Sequence, residues 1–407
     1  MQMNRRKLLK GATALVAASF ISKPTFASGD TIKLGSLLDT SGIFDAYGKP
    51  MDKTARLAVE QINASGGLLG KQIEYILYDT QSNMALYTQF GKKLARTDNV
   101  DVMHGGILSA SREAVRQTFR KRNIPYFYNV LYEGGVCDRN IFINGITPAQ
   151  QVKTLVPAAV KKFGKKIYVL AADYNYGQIT ANWIKKYAEE VGAEIVQTDF
   201  FPLDVADFGS TIAKIQTAKP DMILSVLVGG AHISFYRQWA ASGMNQKIPM
   251  ASTTLGVGNE QNILAKEETE GVLVAYNYSQ ELPNALNQKL LADYKAKYGS
   301  IDDLHSTAVS HYEGILTWAK AVRQADSVKG ADITVVLEAG LSIDTPSGQM
   351  TVDAKTHHSI LDVHLCEFRN KKMEILESFP QQQPLDTQAV CDLIKNPNDN
   401  QQYEIKI

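Results

Sequence analysis

What most restricts the fold of this chain is the order in which apolar runs of two periodicities follow one another. From Thr31 onward, short runs of strand character alternate with longer runs at helical spacing. Residues 32–38, IKLGSLL, read as a strand. A helix is predicted over about 48–64, with Ala55, Ala58, Val59 and Ile62 on one face and Gly66-Gly67 as its stop. Strands are expected again at 73–77, 101–104 and 124–128, with helices at about 85–96 and from Ser109 onward between them. Strands separated by helices pair in parallel and are covered on both faces. The pattern then begins afresh. Strands are expected at 166–171, 194–200, 222–228, 248–251 and 272–276, and helices at about 177–191, 208–217 and 232–242. Two more helices follow, at about 284–298 and 305–325. After them, 348–352, 361–369 and 373–376 alternate as antiparallel strands do, and beyond Pro380 the chain is Gln/Asn-rich and polar, as a surface extension would be. The fold class is therefore α/β, with two doubly wound parallel-sheet units at about 30–146 and 147–275. Ligands of open parallel sheets sit beyond the carboxyl ends of the strands, so two such units facing each other would enclose a cleft.

Composition narrows the function classes. Hydrophobic residues make up 44% of the 407 and charged residues 21%, a globular balance. The net charge of +1 conceals an asymmetry. Arg5, Arg6, Lys7, Lys10 and Lys23 lie in residues 1–27 with no acid, which leaves the remainder at −4. A mildly acidic body gives no support to nucleic-acid binding. Residues 1–27 themselves read as an export signal: a charged start with the twin-arginine pair Arg5-Arg6, a short Ala-rich apolar run, and a cleavage point near Ala27. No Cys stands near that point to take a lipid. The expected location is periplasmic.

Export makes one disulfide plausible among Cys137, Cys366 and Cys391. Cys366 lies in the alternating run VHLCEF, while Cys137 and Cys391 lie in loop-like sequence and are the favoured pair; the other two pairings stay open. Enzyme signatures are missing. There is no GxSxG elbow, Walker loop or dinucleotide fingerprint in its required context. His357 and His358 are adjacent on an extended segment and so face opposite ways, which does not suit a metal site. No cofactor and no metal are expected, and the chain is not expected to be an enzyme.

Four stretches carry candidate binding chemistry. VMHGGILSASREAVR, at 102–116, runs from a strand through two glycines into a helix that opens with Ser109, Ala110 and Ser111. A helix start offers unpaired N–H groups and a partial positive charge, suited to a carboxylate or amide oxygen. It could equally be a plain cap. The strand end YFYNVLYE, at 126–133, concentrates aromatic rings that can wall a pocket. DYNYG, at 173–177, precedes the helix of the second unit, and VGGA, at 228–231, occupies the matching place after its third strand.

Taken in order, these stretches resemble type I periplasmic solute-binding proteins of ABC transporters, in the branch of urea, short-chain amide and branched-chain amino acid receptors. Carrying the resemblance are IKLGSLLDTSG at 32–42, LAVEQINASGGLLGKQIEYILYD at 57–79, GGILSASREAV at 105–115, YFYNVLYEG at 126–134, FINGITPAQQ at 142–151, AADYNYGQ at 171–178, PLDVADFGSTIAKIQTAKPD at 202–221 and THHS at 356–359. The resemblance implies two lobes joined by three strands: one of 30–146 plus about 280–345, the other of 147–275 plus about 346–380, with 381–407 as a C-terminal extension. It implies ligand contacts at Ser109, Ala110, Ser111, Tyr128 and Tyr174, with Tyr176 as the alternative to Tyr174 on the same turn and the backbone of Gly230 as a further contact from the second unit. Two departures stand out. The branch often has a hydroxyl near Val130, and its urea and amide receptors an acid near Gly230; this chain has neither. The implied function is the soluble substrate-binding component of an ABC importer. It would carry a small polar solute (urea, a short-chain amide or an amino acid) to a permease in the inner membrane. The alternative is a periplasmic sensor of the same fold that acts in signalling.

Overall fold

The computed structural model describes residues 31–405. The stretch read as an export signal, with its cleavage point near Ala27, lies outside the described residues.

Six strands lie in the first third of the chain: β1 (Ile32–Leu38), β2 (Ile73–Asp79), β3 (Val102–Gly105), β4 (Tyr126–Tyr128), β5 (Val136–Asp138) and β6 (Ile141–Ile143). Five of them form an all-parallel sheet in the order β2-β1-β3-β4-β6. The central strands are buried almost throughout, which is why they read as apolar runs and not as alternating ones. Helix Asp45–Ala64 covers one face together with helix Ser306–Ala325, which returns from far along the sequence. Thr54 Oγ1 donates to Ala308 O at 2.8 Å, and Tyr312 Oη donates to Gln61 Oε1 at 2.5 Å.

The second sheet has nine strands. β7 (Lys166–Ala172), β8 (Glu194–Phe201), β9 (Met222–Val226), β10 (Met250–Ser252) and β11 (Leu273–Tyr276) are parallel. β12 (Ser342–Thr345), β13 (Gly348–Val352), β14 (Ser359–Arg369) and β15 (Lys372–Gln382) extend it antiparallel, beginning where Tyr276 of β11 faces His364 of β14. The chain leaves the first sheet after Ile143, returns to that sheet's helices after Tyr276, and re-enters the second sheet at Ser342. The segment just before β14 lies against β6, where Ile143 N donates to His357 O at 2.9 Å. The two sheets thus share a short seam at the crossing.

The structure departs from the sequence reading at the end of the chain. β15 runs through Pro380 to Gln382, longer than expected, and helix Gly330–Glu338 and the short strands β5 and β12 were not anticipated. The polar tail is not a loose surface extension. Cys391, Leu393, Asp386 and Thr387 are buried, and β16 (Asn400–Gln402) pairs antiparallel with β5. A disulfide joins Cys137 to Cys391. Composition misleads here because the tail is held by polar groups. Asp386 accepts from Thr147 Oγ1 at 3.0 Å and from Ala149 N at 2.9 Å, at the start of helix Pro148–Phe163. Arg116 donates to Asn400 O at 2.9 Å and to buried Asp138 at 2.7 Å.

Candidate ligand-binding cleft

Three helices begin at one cavity. In the first lobe, β3 ends at Gly105, whose φ is +135° and where a Cβ would lie 2.4 Å from Leu37 O, so only glycine fits. The chain can then turn sharply, and helix Ser109–Arg120 starts directly beyond the sheet edge. In the second lobe, helix Asn175–Glu190 starts against the end of β7. There a Cβ on Gly177 would meet Ala172 O at 1.9 Å, so the bare backbone is what brings Tyr174 and Tyr176 to the sheet edge. Helix Gly229–Ala241 begins after β9 with Val228 as its N-cap.

A cavity lies between these starts. Phe44, Tyr47, Ile107, Leu108, Ser109, Val130 and Leu131 line it from the first lobe, and Tyr174, Tyr176, Val228, Thr254 and Val257 from the second. The lining is apolar and aromatic with a few hydroxyls, and it contains no charged side chain. The lobes touch across it: the ring of Tyr47 lies 2.9 Å from where a Cβ on Gly258 would stand.

The hydroxyls differ in what they have left to offer. Thr254 Oγ1 donates to Leu227 O at 2.7 Å, and Tyr176 Oη donates to Thr253 Oγ1 at 3.0 Å. The Tyr47 hydroxyl is buried with no hydrogen-bond partner. Burial, with the nearby Glu260 carboxyl, raises its pKa well above the ordinary phenol value. Burial likewise raises the pKa of Tyr174 and Tyr176, so all three enter binding as neutral phenols. Ser109 donates its proton to Glu133. Glu133 is itself fully buried against Arg112, with Nη2 to Oε1 at 3.1 Å. Arg112 lies between the rings of Tyr128 and Tyr132, 5.0 and 4.6 Å from their centroids. Burial opposes the Arg112 charge, but Glu133 and Glu113 outweigh it and raise its pKa.

Of the residues singled out in the sequence, Ser109, Tyr174 and Tyr176 line the cavity. Tyr128 stands one layer behind, fully buried, with its hydroxyl donating to Ile107 O at 2.6 Å. The Ser111 hydroxyl is turned onto its own first turn, donating to Leu108 O at 2.7 Å. Ala110 and Gly230 are exposed and stand outside the lining. Sequence reasoning missed Phe44 and Tyr47, which stand just before the predicted helix, and the pairing of Arg112 with Glu133. His357 and His358 are buried at the seam, one stacked on Phe142 and the other on Tyr132.

Two sheets with parallel cores that pass the chain between them and enclose a cavity at their strand ends define a two-lobed binding protein. The chain belongs to the periplasmic binding protein family, whose model matches residues 31–372. It is 25% identical over 362 residues to Leu/Ile/Val-binding protein homolog 7 of Brucella suis, an alignment covering 84% of this chain and 88% of that one. It is 26% identical over 368 residues to homolog 8 of the same organism, covering 85% and 88%. Two solved structures share the fold. The solute-binding protein of an ABC transporter from Rhodopseudomonas palustris, in complex with 3,4-dihydroxybenzoic acid, has a TM-score of 0.79 at 23% identity and covers 88% of this chain and 99% of that one. LivJ of Streptococcus pneumoniae, in complex with isoleucine, has a TM-score of 0.76 at 24% identity, covering 86% and 100%. The protein is thus a two-lobed periplasmic binding protein, similar to the Leu/Ile/Val-binding homologs and sharing its fold with solute-binding proteins of ABC transporters. Such proteins bind small solutes, work with a permease and are not enzymes. Among the described residues, no helix is long and apolar enough to cross a membrane.

Proposed function

We propose that the cavity takes a small carboxylate with a compact apolar or aromatic body and that the closed form delivers it to the permease. The observation that carries this reading is the convergence of three helix starts on a cavity with an otherwise apolar lining. Unpaired N–H groups and the positive ends of helix dipoles favour an anion there without any buried cation. Apolar walls disfavour urea and the shortest amides, which have no body to bury. The two solved structures named above are complexes with an aromatic acid and with isoleucine, solutes of the chemistry proposed. Ser109, Tyr174 and Tyr176 are the first-rank contacts of this reading, with the amides of Ala110 and Ser111 available at the same helix start. Tyr128 supports the wall from behind, and Gly230 lies at its margin.

The same reading divides the chain into one lobe of 30–146 plus about 280–345 and another of 147–275 plus about 346–380, with export through residues 1–27 to the periplasm. The cleft closes on its ligand by a shift of population between open and closed forms. Thermal melting of the full chain with benzoate, 4-hydroxybenzoate, isoleucine, acetamide and urea tests it. A carboxylate at a hundred times its Kd adds roughly 2.7 kcal/mol and raises the melting temperature by a few degrees. A shift with urea or acetamide alone overturns the carboxylate reading.

A further inference from the structure

Behind the cavity lies a polar chain that binding alone does not require. Gln402, on the C-terminal strand β16, accepts from Arg112 Nη2 at 2.6 Å and donates to Gly134 O at 2.6 Å. Arg112 holds Glu133 at 3.1 Å and Glu113 at 3.0 Å. Glu133 in turn accepts a hydrogen bond from the hydroxyl of Ser109, which lines the cavity. Arg112 and Glu133 are both fully buried, and Arg112 Nη1 has no partner. A buried ion pair is costly to assemble and, unlike an apolar pair, imposes a direction on the hydrogen bonds around it.

We infer that Glu133, fixed by Arg112 and through it by the C-terminal strand, is a specificity-determining positioning residue that makes the Ser109 hydroxyl an acceptor only. A hydroxyl has one proton to give. With that proton directed at a carboxylate, any ligand group that reaches Ser109 meets lone pairs. The ligand end at Ser109 therefore carries an N–H or O–H donor, while the carboxylate takes amide N–H groups. This deepens the carboxylate reading and rests on it: among carboxylates, the amino- or hydroxy-substituted member binds better than the bare acid. The tail enters the site from outside as the far end of the relay.

Matched pairs test the assignment by titration calorimetry on the full chain: 4-methylpentanoate against leucine, benzoate against 4-hydroxybenzoate, and N,N-dimethylacetamide against acetamide. In the unmodified protein the donor-bearing member of at least one pair is expected to bind ten-fold or more tightly than its partner. Ser109→Ala should bring that ratio to near one. In Glu133→Gln the new amide can donate to Ser109 and free its proton for the ligand, so the ratio should fall or invert. Gln402→Ala should lower it less and, being outside the cavity, guards against a Glu133 variant that fails to fold. A purely structural role would weaken both members of a pair equally and leave the ratio unchanged. Indifference to the donor in every pair, or a ratio that survives Ser109→Ala, overturns the assignment. Binding of acetamide over N,N-dimethylacetamide with no carboxylate bound would remove the carboxylate reading and leave the Ser109 assignment standing. No binding by any probe overturns both.

Discussion

At the scale of single residues, Gly177 is as consequential as any side chain in the cleft. Its Cα hydrogen occupies a place where a methyl group would overlap Ala172 O. Gly177→Ala should push the helix start, and Tyr174 and Tyr176 with it, away from the strand end. The expected cost is roughly 1–3 kcal/mol of stability by denaturant melting and ten-fold or more in ligand affinity. Full affinity in the variant would show that the helix start has room to spare. Ser109, Tyr174 and Tyr176 were legible in the sequence because each follows a strand end at the opening of a helix, a local pattern. The relay from Ser109 to Glu133 was not, because it depends on an irregular loop after β4 bringing residue 133 against residue 109. No spacing rule encodes that. For Gly230 the position in a motif was readable, but its exposure, which is a matter of tertiary packing, was not.

At the scale of elements, the alternating strands and helices were readable because burial on both faces writes itself as apolar runs. The C-terminal tail was not. Its contacts are a disulfide, the carboxylate of Asp386 on the first turn of helix Pro148–Phe163, and two arginines on backbone carbonyls, none of which changes the hydropathy of the segment. The disulfide spans a sequence separation of 254 residues, so it removes a large loop entropy from the unfolded chain. Cys391→Ser should cost roughly 2–5 kcal/mol and lower the melting temperature by several degrees in calorimetry. The same loss is expected when the unmodified protein is melted with a reductant. A melting temperature unmoved by either would mean that the polar contacts hold the tail alone.

For the whole molecule, burial of titratable groups sets the pH range of stability. Burial lowers the pKa of His232, His311 and His358 to about 3, and that of His305 to about 4. Below the ordinary histidine value near 6.5, the unfolded chain takes up these protons and the folded chain does not, so stability falls as pH falls. Each group should cost roughly 2 kcal/mol at pH 5. Glu313 works the other way: burial raises its pKa to about 7, and its contribution is lost as pH rises through that value. Four histidines outweigh it, so the melting temperature should be lower at pH 5 than at pH 7; an equal or higher value at pH 5 would contradict these burial assignments. Function at this scale comes down to what three helix starts attract between two apolar walls. The most direct measurement is calorimetric titration of the full chain with benzoate and benzamide, which share a body and differ in charge. Tighter binding of benzoate by ten-fold or more, lost in Tyr174→Ala, is the result predicted. Equal binding of the two, or a preference for benzamide, would mean that the helix starts do not hold an anion, and the account of the site would fail.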